Sequence, residues 1–285
     1  MSVVLQELLE QLQLERLEQN LFRGQSRDPG WGTVYGGQVL GQALSAACQT
    51  VPTERTAHSL HGYFLRPGDV NAPIIYDVDC IRDGKSFTTR RVVAIQHGRA
   101  IFNMAASFQI AEDGDDHQTQ MPEAPAPETL KSERELAETF ADSIPEPLRS
   151  RVLGESPIEM RPVDPVNPLA PKKGRPHRQV WYRAAEALPD DRSVHQCLLA
   201  YASDSYLIGT ALVPHGVSPL MPNMQVASLD HSMWFHRSFR LDEWLLYDMD
   251  SPSAEGARGM ARGQFFDAKG RLVASTAQEG LMRRR

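Results

Sequence analysis

Three polar side chains stand where the surrounding pattern asks for apolar ones or leaves the choice open. Val194, Cys197, Leu198, Tyr201, Ile208, Ala211 and Leu212 form a stripe with helical spacing, and Asp204 falls on the same face between Tyr201 and Ile208. A carboxylate in that place must find hydrogen-bond donors, or desolvation drives it toward its neutral form. It is a functional-site candidate, able to take or give a proton; the other reading is a structural aspartate capping a neighbouring loop. In the closing segment Leu272, Ala274, Thr276 and Gln278 alternate on one face, which brings a primary amide toward the interior. Taken alone, Gln278 reads as a satisfied structural glutamine. Ser228 lies in a strand-like run, and the alternation around it does not fix its face.

Other chemistries lack their sequence marks. There is no G-x-S-x-G elbow, and Gly84-Lys85-Ser86 has Asp79 where a phosphate loop needs its first glycine, so it reads as a hairpin turn. Gly36-Gly37-x-x-x-Gly41 does not fit the dinucleotide fingerprint and follows no strand. His58 with His61, and His231 with His236, lack the spacing of a helical zinc site, and Cys48, Cys80 and Cys197 lie far apart, so no metal is expected. A net charge of −6 supplies no basic footprint for nucleic acid. The longest uncharged run, Ser205 to Leu229, carries Pro214, Pro219 and Pro222 and cannot be a membrane helix. With no secretory signal at the start, a soluble cytoplasmic protein is expected.

These residues need a frame to hold them. At about 150 residues per domain, 285 residues make roughly two domains. The spacing predicts an amphipathic helix over Val3 to Leu12, a loop from Arg23 to Gly32, and a helix of small and apolar residues, opened by Gly36-Gly37-Gln38 and running from Val39 to Cys48. Strands are predicted at His58 to Leu65, Ile74 to Asp79, Ser86 to Gln96 and Arg99 to Ile110. Residues 112–138 hold nine acidic and two basic residues with three prolines, and read as a solvated linker, followed by a polar helix over Ser132 to Leu153. Short strands are predicted at Ile158 to Val163 and Gln179 to Ala184, then a long helix from Ser193, its cap, to Leu212. Strands follow at Gln225 to Phe235, Glu243 to Met249, Arg258 to Asp267 and Arg271 to Met282.

The two halves match segment by segment. Ile74-Ile75-Tyr76-Asp77-Val78-Asp79 resembles Leu245-Leu246-Tyr247-Asp248-Met249-Asp250, His97-Gly98-Arg99 resembles Lys269-Gly270-Arg271, and His58-Ser59-Leu60 resembles His231-Ser232-Met233. Three matches in one order at nearly constant offset indicate an internal duplication of an α+β unit, a helix wrapped by an antiparallel sheet. The predicted division is 1–111, a linker and connecting helix over 112–157, and 158–285.

Longer motifs carry a family resemblance. Gly36-Gly37-Gln38-Val39-x-Gly41-Gln42-Ala43, His58-Ser59-Leu60-His61-x-Tyr63-Phe64-Leu65-Arg66-Pro67-Gly68, Tyr201-Ala202-Ser203-Asp204, Leu229 to His236 and Ala274 to Gly280 resemble the acyl-CoA thioesterase II family. The resemblance implies a double hotdog fold, hydrolysis of fatty acyl-CoA, no cofactor beyond the CoA of the substrate, and a homo-oligomer, dimer or tetramer. It places the catalytic set on Asp204, Ser228 and Gln278, with Ser at a position that commonly holds Thr. Substrate binding is expected at Gly36, Gly37 and His58.

On that implication Asp204 is a general base for water, Gln278 and Ser228 hold the water in line, and backbone N–H groups at Gly36-Gly37 meet the oxyanion. A thiolate leaves readily, so no covalent acyl-enzyme is needed. Two other readings are weighed: a hotdog enoyl-CoA hydratase or dehydratase, and a non-catalytic acyl-CoA-binding protein. The hydratase mark Asp-x-Asn-Pro-Leu-His is broken here, since Asp164 lies one place early and Ala170 replaces the histidine.

Overall fold

A computed structural model describes residues 2–28, 30, 32–139, 141, 144, 146, 149 and 153–285. Helix α1 (Val3–Leu12) buries Leu5, Leu8 and Leu12 on one face. A hairpin of β1 (Glu15–Glu18) and β2 (Leu21–Gly24) follows, which the sequence pattern misses because every residue of β1 is exposed. Helix α2 (Gly36–Cys48) has ten of its 13 residues buried, as expected of a helix enclosed by a sheet. Around it run β3 (Arg55–Phe64), β4 (Ile74–Asp83), β5 (Phe87–Gln96) and β6 (Arg99–Ile110).

The second half repeats the plan with α3 (Glu133–Glu138), β7 (Ile158–Pro162), β8 (His177–Ala184), α4 (Arg192–Ser203), α5 (Leu207–Leu212), β9 (Met224–Ser228), β10 (Asp230–Phe235), β11 (Leu245–Glu255), β12 (Arg258–Asp267) and β13 (Leu272–Arg284). All pairings are antiparallel, in the order β1-β2-β4-β5-β6-β3-β10-β13-β12-β11-β8-β7, with β9 also on β13. The halves therefore meet at β3 and β10. Leu60 and Met233, which close the matched tripeptides of the two halves, face each other in register across that junction. A residue paired with its own repeat counterpart marks an approximate two-fold axis, so the duplication is a structural one.

The central helices cross antiparallel, with the start of α2 against the end of α4. The contact is backbone-close: a Cβ on Gly37 would lie 2.1 Å from Tyr201 O, and one on Gly41 would lie 3.0 Å from Cys197 O. Only glycine admits the first of these.

Two expectations change. The acidic segment is not a free linker, because Met121, Ala124 and Leu130 pack on Trp181, Leu246, Phe266 and Leu272. Trp181 Nε1 donates to Pro125 O at 2.9 Å and Gln118 Nε2 to Gly270 O at 2.8 Å, strapping it over the outer face of the second half of the sheet. Leu272 joins that outer cluster instead of the face of Ala274, since the β12–β13 register shifts between Phe265 and Phe266. Of the polar helix expected over Ser132 to Leu153, α3 is present with a capping box between Ser132 and Glu135, Arg149 is helical, and beyond Thr139 most of the stretch lies outside the described residues.

Candidate active site

The long helix predicted to reach Leu212 stops at Ser203. Asp191, not Ser193, caps its start by accepting from Ser193 N at 2.8 Å, and Asp204 is its C-cap. Tyr206 then takes φ +66°, and α5 begins at Leu207. The left-handed turn of a bulky residue is costly and is held by distant contacts. The Tyr206 hydroxyl donates to Glu133 Oε1 in α3, and the Arg178 guanidinium stands 5.6 Å from its ring centroid. Burial raises the Glu133 carboxyl above its ordinary range. No Gly or Pro announces the break, so the apolar periodicity runs through it unmarked.

Once turned, Asp204 is 9% exposed and has the donors that its burial requires. Gln278 Nε2 donates to Asp204 Oδ1 at 2.7 Å and Ser228 Oγ donates to the same oxygen at 3.2 Å. The three residues carried over from the resemblance thus come together from α4, β9 and β13. Ser228 could not be oriented from alternation because β9 and β10 are interrupted at Leu229, whose N–H bonds to Glu279 O while Gly280 pairs with Ser228. Asp204 Oδ2 lies beside Gly36, where a Cβ would come within 2.7 Å of it and 3.2 Å of the Phe64 ring. The carboxylate therefore faces the first turn of α2, whose N–H groups and positive dipole end favour an anion.

Behind Gln278 stands His231, which the sequence offers as part of the repeated tripeptide and of the Leu229 to His236 motif but without a role. His231 is fully buried; its Nδ1 lies 3.2 Å from Gln278 Nε2 and its Nε2 lies 3.0 Å from Ser203 Oγ. The Ser203 hydroxyl donates to Ala200 O at 2.9 Å, so the ring donates at Nε2 and accepts at Nδ1. That tautomer fixes the amide: Gln278 offers both hydrogens, one to His231 and one to Asp204. Its Oε1 is buried with no donor among the described residues.

Burial pulls the His231 pKa down to about 4, with the Asp204 carboxylate opposing the shift. An unfolded histidine titrates near ~6.5, so between those values the unfolded chain takes a proton that the folded one refuses. The resulting stability is complete above ~6.5 and lost as pH falls toward about 4. Urea midpoints measured from pH 7 to pH 4 are expected to fall less steeply in His231→Gln than in the wild type.

The remaining candidates divide. Gly36 borders Asp204, whereas Gly37 serves the helix crossing. His58 is not brought to this site. It lies six residues before Phe64 on β3, about 20 Å along an extended strand. There its Nε2 meets Ser107 Oγ at 2.8 Å and its ring stands edge-on to Phe87 at 5.6 Å. Tyr35, missed from sequence, bridges the helix break, donating to Tyr201 O at 3.0 Å with Ser205 Oγ at 2.8 Å; burial, and next the Asp204 charge, raise its pKa. Of the described His, Cys, Asp and Glu residues, no group of three or more is placed to hold a metal ion.

A family model described as acyl-CoA thioesterase matches residues 148–281, and one described as acyl-CoA thioesterase N-terminal domain matches residues 27–109. Acyl-CoA thioesterase 2 of Haemophilus influenzae is 45% identical over 99% of both chains. This chain belongs to the acyl-CoA thioesterase family. Human acyl-coenzyme A thioesterase 8 is 41% identical over 95% of this chain and 87% of its own. The solved acyl-CoA thioesterase II TesB2 of Mycobacterium marinum is 45% identical, covers 98% of both chains and superposes with a TM-score of 0.80. A protein of Alicyclobacillus acidocaldarius described as having a hot dog fold, 17% identical with a TM-score of 0.76, shares the fold. The double hotdog expected from the motifs is the fold of this chain.

Proposed function

We infer that this protein hydrolyses fatty acyl-CoA to a free acid and CoA by direct attack of water. The observation that carries the reading is the joint hold of Gln278 and Ser228 on one oxygen of Asp204. Both donors are spent on the carboxylate, so Gln278 and Ser228 aim the base in addition to the water-holding role expected of them. Asp204 takes a proton from water as the water oxygen bonds to the thioester carbon. Ser228 Oγ, whose own hydrogen points at Asp204, has lone pairs to accept the other water hydrogen. Electrons displaced onto the carbonyl oxygen are met by the N–H groups of Gly36 and Gly37, free at the first turn of α2. Collapse expels the CoA thiolate, which takes up the proton held by Asp204.

A hydratase reading gains nothing from the structure. Asp164 and Asn167 lie in the loop between β7 and β8, where Asn167 Oδ1 accepts Leu169 N at 2.9 Å, within its own turn. We further propose a homo-oligomer in the cytoplasm. Tyr63 is 60% and Trp234 37% exposed on the adjoining strands β3 and β10, apolar surface of the kind another subunit covers. No helix of the described residues is long and apolar enough to cross a membrane.

Thiol release from saturated acyl-CoA esters of graded chain length tests the activity, with an enoyl-CoA alongside. Thiol release with no water addition is expected. Hydration of the double bond, or a chain acylated on Ser or Cys during turnover, overturns the reading.

A further inference from the structure

The duplication makes each half a reference for the other. After β3, Leu65 and Arg66 both donate backbone N–H to Ile101 O, and Arg66 Nη1 donates to Ala100 O at 2.6 Å. After β10, His236 and Arg237 both donate to Val273 O, and Arg237 Nη1 donates to Leu272 O at 2.8 Å. Arg66 and Arg237 are thus structural counterparts. So are Arg99 and Arg271: Arg99 pairs with Gln96 at the β5–β6 turn, and Arg271 O accepts from Asp267 N at the β12–β13 turn.

The counterparts differ in what neutralises them. In the second half Arg237 Nη2 is held by Asp116 of the strapped acidic segment, which leaves the arginine side chain 19% exposed, and Arg271 Nε binds Asp267 Oδ2 at 2.7 Å. In the first half both carboxylates are missing. The counterpart of Asp267 is the neutral Gln96, whose amide is spent on Asp69 N, Asp69 O and Ala72 O. Among the described residues no carboxylate meets Arg66 as Asp116 meets Arg237. Arg66 and Arg99 are exposed, and neither has a carboxylate partner among the described residues. Together with Pro67, Asp69, Gln96, His97 and Ile101 they line an open cavity of about 330 Å³. The one carboxylate there, Asp69, is engaged by Asn71 N at 2.9 Å and by His97 Nε2 at 2.8 Å.

We propose that Arg66 and Arg99 bind the phosphate groups of the CoA ester whose thioester is cleaved at Asp204, an assignment that rests on the thioesterase reading. Guanidinium pairs suit phosphate oxygens through charge-assisted, forked hydrogen bonds. The cavity is joined to the catalytic carboxylate by chain. Arg66 follows Phe64 by two residues, the Phe64 ring lies against Gly36, and Val34 N donates to Gly68 O at 3.1 Å, fastening the arginine loop to the segment that leads into α2. The nucleotide end stays at the surface while the pantetheine arm carries the thioester inward. In the second half the acidic segment has taken the equivalent place with a carboxylate of the protein's own.

The test compares an acyl-CoA with the acyl-pantetheine of the same chain, which keeps the thioester and lacks the nucleotide phosphates. For Arg66→Gln and Arg99→Gln, the ratio of kcat/KM for acyl-CoA to that for acyl-pantetheine is expected to fall about tenfold each, the scale of one lost charge-assisted hydrogen bond, and further in the double variant. An unchanged ratio, or an equal fall on both substrates, overturns the proposal. Titration calorimetry with free CoA separates this site from the reading beneath it. CoA binding by the wild type that weakens in the double variant supports the phosphate site even if neither thioester is cleaved, a result that would refute the hydrolase reading alone. CoA binding equal in the two proteins refutes the phosphate site whatever the turnover.

Discussion

Asp204→Asn is expected to lower kcat by about 10²- to 10⁴-fold, the range that a positioned general base contributes. The substitution keeps the shape, and an amide oxygen at the Oδ1 position still accepts from Gln278 Nε2 and Ser228 Oγ, so the hydrogen bonds that place the side chain survive. The proton-accepting power is what goes. KM for acyl-CoA should move far less than kcat, because the group acts on the water and not on the bound ester. Steady-state thiol release with a circular-dichroism melt of the same preparation checks both halves of the claim. Turnover within about threefold of wild type from a folded variant would remove Asp204 from the proton-transfer step.

Gly37→Ala is expected to be the most damaging single methyl in the chain. Alanine is the better helix former by about 1 kcal/mol, so propensity alone predicts stabilisation. Against this stands a Cβ 2.1 Å from Tyr201 O, a backbone atom that cannot swing aside. Relief requires α2 and α4 to separate, and overpacking of this kind costs about 1–3 kcal/mol, occasionally more. Separation also moves the end of α4, which carries Asp204 away from the first turn of α2, so activity should fall with stability. Gly41→Ala supplies the contrast: its Cβ would meet Cys197 O at 3.0 Å, a gap closed by a few tenths of an ångström. Urea denaturation should rank wild type and Gly41→Ala close together and Gly37→Ala well below. A midpoint for Gly37→Ala equal to that of wild type would mean that the crossing has slack the structure does not show.

Much of the frame was legible because it rests on burial, which leaves a periodic mark. Arg99 to Ile110 and Arg258 to Asp267 have the strand bounds that alternation predicts, and α1 those of its leucine spacing. The tripeptide match ending at Leu60 and Met233 signalled the duplication, while the pairing of those two residues across the junction of the halves comes from the structure. What stayed illegible depends on single long-range contacts. The stop at Ser203 is enforced by Tyr206 reaching Glu133, 73 residues away, and no local residue signals it. The direction of Ser228 depends on an irregularity at Leu229, which an alternation count cannot see. His231 looks like any core histidine until its two nitrogens are traced to Gln278 and Ser203. Composition placed the acidic segment in solvent, yet a few apolar side chains and Gln118 are enough to bind it to the sheet.

The seam at Leu60 and Met233 also bears on ancestry. A site assembled from the first turn of one central helix and the last residue of the other cannot belong to either half by itself, so the unduplicated precursor must have worked as a pair of identical chains. Such a pair would have carried every residue twice, and therefore two equivalent sites, one at each end of the helix crossing. Fusion into a single chain released the copies from identity. At one end the residue that closes the helix is Asp204; at the other, the residue closing α2 is Gln49, an amide that cannot serve as a base. One ancestral site was thereby free to lapse, and its surface to be built over by the segment that joins the halves.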